Sequence, residues 1–204
     1  MSETGWRNRG ARKEETRDKK RMLLLKTAAR MFNEEGYDRT SLTSIARQLG
    51  ITKPSLYYYV KSKEDILFNI NKIAFEELKQ VLDDTPSENA NGREKLVNFL
   101  TRYIRVITSE FGKCIIPPNH VALSRESRNI FRQDRKYLDH AVRAIITEGI
   151  EDGSLVCSSP RLAVFSIFGA MNWMCFWYRA DGSDSIEELT DAFVHFFLKG
   201  LEPR

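Results

Sequence analysis

Between Thr40 and Lys63 the chain reads TSLTSIARQLGITKPSLYYYVKSK, two short helical patterns set about a glycine. Ile45, Ala46 and Leu49 recur at helical intervals, so the first pattern has one apolar face. Gly50 follows, and glycine best takes the left-handed backbone that ends a helix and turns the chain. Ile51 is apolar and suited to plug the angle between two helices. Thr52 is placed to cap a second helix, with Pro54 in its first turn, where a missing N–H costs nothing. Leu56 and Val60 give that helix an inward face and leave Lys53, Ser55, Tyr57, Tyr58 and Tyr59 around the rest. Each piece alone has a plain explanation: glycines end many helices, and three tyrosines could be core. Combined in one window they spell a helix-turn-helix whose second helix offers hydroxyls, aromatics and a lysine, side chains that grip and read DNA.

Charge points to a polyanion at the same end. The net charge of +4 hides an asymmetry: residues 1–63 hold 15 Lys/Arg against 7 Asp/Glu, and the remainder hold 17 against 21. The positive excess sits with the helix-turn-helix, as a DNA-binding module requires. At 204 residues and 42% apolar content the chain can bury a sizeable core, as one large domain or two small ones. Cys114, Cys157 and Cys175 are too few and too irregular for a disulfide framework or a zinc site, and three isolated histidines do not change that. No metal or cofactor is expected. The start, MSETGWRNRGARKEE, lacks the apolar segment of a secretory signal. The most hydrophobic run, Ala163 to Tyr178, is interrupted by Ser166, Gly169 and Asn172. It is also shorter than the roughly 20 residues of a bilayer crossing. A cytoplasmic protein without membrane contact is expected. Catalysis is not: no Gly-rich phosphate loop, Ser/His/Asp pattern or carboxylate–histidine metal spacing occurs. Cys114 and His120 resemble a nucleophile and base, but they sit beside a Pro-Pro break with no third partner.

Three regions follow along the chain. Residues 1–16 are polar, basic and aperiodic, and are predicted to be disordered. With Arg7, Arg9, Arg12 and Lys13 they form either a basic arm for phosphates or a minor groove, or a solvated tail leading into the first helix. Residues 17–63 form the DNA-binding domain. Its first helix runs from about Arg17 to Glu35, with Leu24, Leu25, Ala28, Met31 and Phe32 inward, and Gly36 stops it. Thr40 or Ser41 then caps the second. In residues 64–204, Ser62-Lys63-Glu64-Asp65 opens a long helix that ends before the loop DDTPSENANG. Further helices are predicted at 93–110, at a short stretch near 119–123 after Pro117-Pro118, and at 125–152, 160–180 and 185–200. Ile130, Phe131, Tyr137 and Leu138 are among the inward residues of the long one. No strand alternation is sustained. The fold is therefore all-α, about nine helices: an N-terminal three-helix head and a C-terminal helical ligand-binding and dimerisation domain.

The stretch RMLLLKTAARMFNEEGYDRTSLTSIARQLGITKPSLYYYVKSKEDIL, Arg21 to Leu67, resembles the tetracycline-repressor-like (TetR) family of bacterial regulators. The C-terminal two-thirds match that family only in helix layout. The resemblance implies a homodimer on a palindromic double-stranded DNA operator, repression by default, and release when a small molecule binds the C-terminal domain. Thr52, Lys53, Pro54 and Ser55 would open the recognition helix toward base edges, with Lys53 donating to guanine and Pro54 and Tyr58 meeting thymine methyls. Tyr57 occupies a position that commonly donates to a phosphate in family members, and Lys63 looks like the family's phosphate-clamping lysine. Thr40, Ser41 and Thr43 start the second helix, where hydroxyls and the helix dipole suit a phosphate. Tyr59 stands where the family often has His or another aromatic, and it and Val60 are read as packing.

The run AVFSIFGAMNWMCFWY is apolar almost all round, which one helix cannot satisfy on a monomer's exterior. With Ile186, Leu189, Phe193, Phe196, Phe197 and Leu201 of the last helix it could form a four-helix bundle about a two-fold axis. Alternatively it is central to its own subunit. For an effector, Phe99, Tyr103, Phe131, Trp173 and Trp177 are candidate pocket residues, with Arg125 and Arg179 for an anionic group. Asn172-Trp173 and Trp177-Tyr178-Arg179 resemble the corresponding helix of members that sense acyl-CoA thioesters. Arg128, Arg132 and Arg135 could also serve an anion, or form a solvated face with Glu126 and Asp134. An acyl-CoA and a generic hydrophobic or aromatic effector both stay open, as does an effector-independent DNA-bridging or architectural role.

Overall fold

Eight α-helices and one 3-10 turn follow one another, and no strand forms among the described residues. In this computed structural model those residues are 4–84, 89–116 and 122–199, with side chains from residue 15 onward. The helices are α1 (Thr4–Glu35), α2 (Leu42–Gln48), α3 (Lys53–Tyr57), α4 (Lys63–Asp83), α5 (Gly92–Thr108), α6 (Arg125–Glu151), α7 (Pro160–Trp177) and α8 (Ile186–Lys199); the 3-10 turn is Gly112–Ile115. The short helix predicted near 119–123 falls mostly on residues outside the described set, as do His120, Leu201 and the middle of the loop DDTPSENANG. One expectation is corrected at the start of the chain. The sequence predicts no regular structure over 1–16, yet α1 begins at Thr4. Once Leu24 to Phe32 are anchored, added turns cost only propagation, and Arg, Lys, Glu and Ala propagate helix well.

The chain divides into two compact units, one through Ile70 and one from Asn71. The division falls inside α4 rather than at Lys63, where the sequence pattern puts the change of domain. In the first unit α1 buries Leu24, Leu25, Ala28, Ala29 and Phe32, α2 buries Ile45 and Ala46, and α3 buries Leu56. Gly36 (φ 90°) and Gly50 (φ 66°) turn the chain between these helices. A Cβ at Gly50 would meet open space, so the backbone angle rather than room selects glycine there. Ser41 caps α2 reciprocally with Ser44, and Thr52 caps α3 by accepting from the Ser55 N–H at 3.3 Å. Five residues are too few to be helical alone, so α3 depends on that cap, on Pro54 in its first turn and on burial of Leu56.

In the second unit α5 is the hub, packed on α6, α7 and α8. It buries Leu96, Phe99, Leu100, Tyr103, Ile104 and Ile107, a stripe of threes and fours. On α6 the buried stripe is Phe131, Leu138, Val142, Ile146 and Gly149. Ile130 and Tyr137, expected inward, each precede a stripe residue by one position and are exposed. The start of α5 lies hard against the end of α6: a Cβ on Gly92 would sit 2.2 Å from the backbone nitrogen of Gly149. There the Asp152 carboxylate accepts from the Gly92 N–H at 2.7 Å, and the Ser154 hydroxyl accepts from the Arg93 N–H at 3.1 Å. Hydrogen bonds from Ser154 and Gly92 hold the Asp152 carboxyl below its ordinary pKa. Among the described residues no helix is long and apolar enough to cross a membrane.

Candidate functional site

Thr52, Lys53, Pro54, Ser55, Tyr57 and Tyr58 are all exposed, while Leu56 among them is fully buried. Burial of one side chain per turn therefore presents the others outward. The Thr52 and Ser55 hydroxyls share a 2.9 Å hydrogen bond, and Tyr58 meets the Tyr59 ring edge-on at 5.1 Å. The guanidinium of Arg17, from α1, lies 5.3 Å above the Tyr58 ring, so a positive charge stands beside the phenol. Ser41 and Thr43 are exposed as well. Thr40 is not, and its predicted phosphate contact is withdrawn. It is buried, and its hydroxyl donates to the carbonyls of Gly36 at 3.0 Å and Met31 at 3.3 Å.

Lys63 is half-buried and does structural work the sequence does not disclose. Its Nζ donates to the carbonyls of Tyr37 at 2.9 Å and Thr40 at 3.0 Å and sits 4.2 Å from the Tyr37 ring centre. Two of three ammonium donors thus tie α4 to the turn after α1, leaving one for a phosphate. Burial, then the charges of Glu64 and Asp38, raise the pKa of the Tyr37 phenol. A second brace also escaped the sequence reading. Arg21 donates to the Asn69 oxygen at 2.8 Å, the Asn69 amide donates to the Asp65 carboxylate at 2.9 Å, and that carboxylate accepts the Lys61 N–H at 2.8 Å. The turn that follows the recognition helix is held by this chain of bonds. Its only sequence signal is the helical spacing of Asp65 and Asn69.

The second unit carries an open-sided cavity of about 590 Å³, the size of a small-molecule site. Phe75, Ile115, Ile116, Leu138, Phe165 and Phe168 supply its apolar wall. Arg132, Arg135, Lys136, His140 and Arg143 also line it, and their spacing sets them along one face of α6. Arg132, Arg135, Lys136 and His140 are exposed, so the charged side of the cavity opens to water. Asp139 pairs with Arg143 at 2.7 Å. From α5 and α7 come two neutral polar groups, Tyr103 and Asn172, joined by a 2.8 Å hydrogen bond from the phenol to the amide oxygen. Burial pushes the Tyr103 pKa well up, so this hydroxyl keeps its proton.

Both halves of the chain match known sequences. Residues 24–70 match the family of bacterial regulatory proteins called tetR, and residues 89–201 match the tetracyclin repressor-like C-terminal domain. The chain belongs to the TetR family. The fatty acid metabolism regulator protein of Bacillus subtilis is 24% identical over 185 residues, spanning 89% of this chain and 95% of that protein. The TetR-family regulator PfmR from Thermus thermophilus superposes with a TM-score of 0.77 at 31% identity, covering 88% of this chain and 99% of that one. AibR, in complex with isovaleryl coenzyme A and operator DNA, gives a TM-score of 0.74 at 26% identity over 86% of this chain and 96% of its own. The first two of these relatives are named as regulators, and the third is seen on operator DNA.

In this TetR-family regulator α7 has three faces with three surroundings. Val164, Ile167, Met171 and Met174 are buried in the unit's core, and Phe165, Phe168 and Asn172 line the cavity. Leu162, Ser166, Gly169, Trp173 and Phe176 are exposed in a third row of fours and threes. Trp173 is 63% and Trp177 41% exposed, so neither lines the cavity as expected. Arg179 is exposed and held by Asp181 at 3.1 Å, and Arg125 is exposed in the first turn of α6. Phe99 is buried behind Tyr103 and Phe168, and Phe131 stacks on Phe75 at 5.5 Å without lining the cavity itself. Of the seven expected effector residues, Tyr103 alone lines it. Beside the exposed row a shallow hollow of about 890 Å³ is lined by Leu162 and Ser166 of α7 and Phe196 of α8, itself 73% exposed.

Proposed function

We propose that this regulator is a homodimeric repressor that leaves a palindromic operator when an anionic, acyl-bearing ligand of the acyl-CoA class enters the cavity of its C-terminal unit. The observation that carries the reading is the cavity's two-sided chemistry: an apolar wall and, along α6, a row of cations open to water. A CoA thioester has both parts, an acyl chain for the wall and phosphates for Arg132, Arg135 and Lys136. The regulator of fatty acid metabolism and the AibR complex with isovaleryl coenzyme A support that class. The exposed apolar row of α7 with Phe196 supports a second copy, since an uncovered surface of that kind on a soluble monomer is unusual. Lys53, Pro54, Ser55 and Tyr58 are the base-reading candidates; Ser41, Thr43, Tyr57 and the remaining Lys63 donor are the phosphate candidates. An effector-independent architectural role leaves the cavity without a purpose.

The test is release from DNA. A fluorescent duplex from the region upstream of the regulator's own gene is bound and then titrated with CoA thioesters from butanoyl- to hexadecanoyl-CoA. Loss of anisotropy with one or more of them is expected, while coenzyme A alone does little. Retention of the duplex across the whole series, with each thioester at saturation, contradicts the reading.

A further inference from the structure

We infer that Tyr103 and Asn172 form a carbonyl-recognition point inside the cavity, so that the regulator distinguishes an acyl thioester from an alkyl chain of equal length and charge. The inference rests on the ligand class proposed above. Among the residues lining the cavity, Tyr103 and Asn172 are the polar ones contributed by α5 and α7; every other polar lining residue lies on α6. They face an apolar wall of Phe75, Phe165 and Phe168, with the Phe168 ring 5.2 Å from that of Tyr103. A purely hydrophobic ligand would satisfy none of the donors left over from their mutual bond, at a cost of about 1–3 kcal/mol for a desolvated, unpaired polar group.

Hydrogen-bond counting says which ligand group fits. The phenol has one O–H and the amide two N–H donors. The 2.8 Å bond uses the phenolic proton and the amide oxygen, so both amide N–H groups remain to be offered. If the amide were turned, one of its N–H groups would bond the phenol and the phenolic O–H would be offered instead. In either arrangement two donors remain to be offered. The raised pKa of the buried phenol keeps it neutral and a donor or acceptor rather than an anion. A carbonyl oxygen is an acceptor with no proton of its own, and it is the polar atom where an acyl chain joins its carrier. With the cations of α6 on the phosphates and this pair on the carbonyl, the ligand is oriented at two points.

The experiment compares each CoA thioester, butanoyl to hexadecanoyl, with its S-alkyl-CoA thioether, in which a methylene replaces the carbonyl. Charge, chain and carrier are unchanged. Full-length protein is titrated calorimetrically. The wild type should favour the thioester by about tenfold, the worth of one well-placed hydrogen bond. Asn172→Leu should bring that ratio near one without weakening thioether binding, which is relieved of the amide's desolvation cost, and Tyr103→Phe should reduce the ratio without abolishing it. Loss of packing alone would weaken both ligands together and leave the ratio intact. Equal binding of both ligands by the wild type, or a ratio that survives Asn172→Leu, overturns the inference while the ligand class stands. Binding of neither compound at any length overturns the ligand class and this inference together.

Discussion

Both units of this regulator expose aromatic side chains, and the company those rings keep is different. In the head, Tyr57 and Tyr58 carry hydroxyls and stand with Thr52, Lys53 and Ser55, and Arg17 lies over one of the rings. In the C-terminal unit, Trp173, Phe176 and Phe196 are exposed with Leu162 and Gly169, and Trp173 and Phe176 pack on each other at 5.1 Å. Rings beside cations and hydroxyls suit a wet, charged partner such as a duplex. Rings beside aliphatic and small residues suit a surface that excludes water. Equal exposure therefore points to different partners, and ionic strength and dilution should tell the two surfaces apart.

The largest expected effect comes from breaking the apolar surface. Trp173→Asp with Phe196→Asp should weaken self-association by at least about a hundredfold, since buried aromatic anchors carry most of such an interface's energy. Sedimentation velocity across a dilution series measures it, and an unchanged dimer would refute the role given to this face. Next, Arg132→Glu with Arg135→Glu should reduce affinity for CoA thioesters by about tenfold or more and leave affinity for DNA unaltered. Equal loss of both activities would show general damage instead. In the head, Lys53→Ala should lower discrimination between operator and random duplex by about 1–3 kcal/mol. Lys63→Ala should weaken both duplexes alike, reduce the salt slope by about one and lower the melting temperature, because two carbonyls lose their donor. A Lys63→Ala protein that melts like the wild type would deny the tether.

The smallest effect concerns acid stability. Asp152 has a folded pKa below its ordinary 3.8, so its contribution is complete above that value and is lost as the pH falls through the lower folded value. Asp152→Asn should flatten the acid limb of stability in that window, leaving the variant less stable than the wild type near neutrality and equal to it below the folded pKa. An unaltered acid limb would mean that the bonds to Gly92 and Ser154 do not hold in solution.

What was legible in the sequence was local. Gly36, Gly50, Ser41 and Thr52 act through the backbone within a few residues, and each sits where its chemistry puts it. Thr40 shows the limit: two adjacent hydroxyls both suit a cap, and only tertiary burial decides that Ser41 takes it and Thr40 turns inward. The outward tryptophans have another cause. A helix that is apolar all round, like α7, has no polar stripe to fix its rotation, so the pattern cannot say which face meets the subunit's own cavity. The sequence offers Arg132 and Arg135 for an anion, but the other cations of the cavity are obscured in the opposite way. Lys136, His140 and Arg143 sit on a charged stripe that reads as a solvated face until Phe165 and Phe168 are found opposite. Lys63 was legible as a charge and not as a tether, because its acceptors are backbone carbonyls far away in sequence.

One coupling is central to this regulator, between what fills the cavity and what the outward residues of the recognition helix hold. The most direct measurement is an anisotropy titration of the regulator–duplex complex with a CoA thioester, run beside the Arg132→Glu, Arg135→Glu protein. Release from the wild type, with the variant remaining on DNA at the same ligand concentration, is the predicted result. Release of both proteins alike, or of neither, would contradict it.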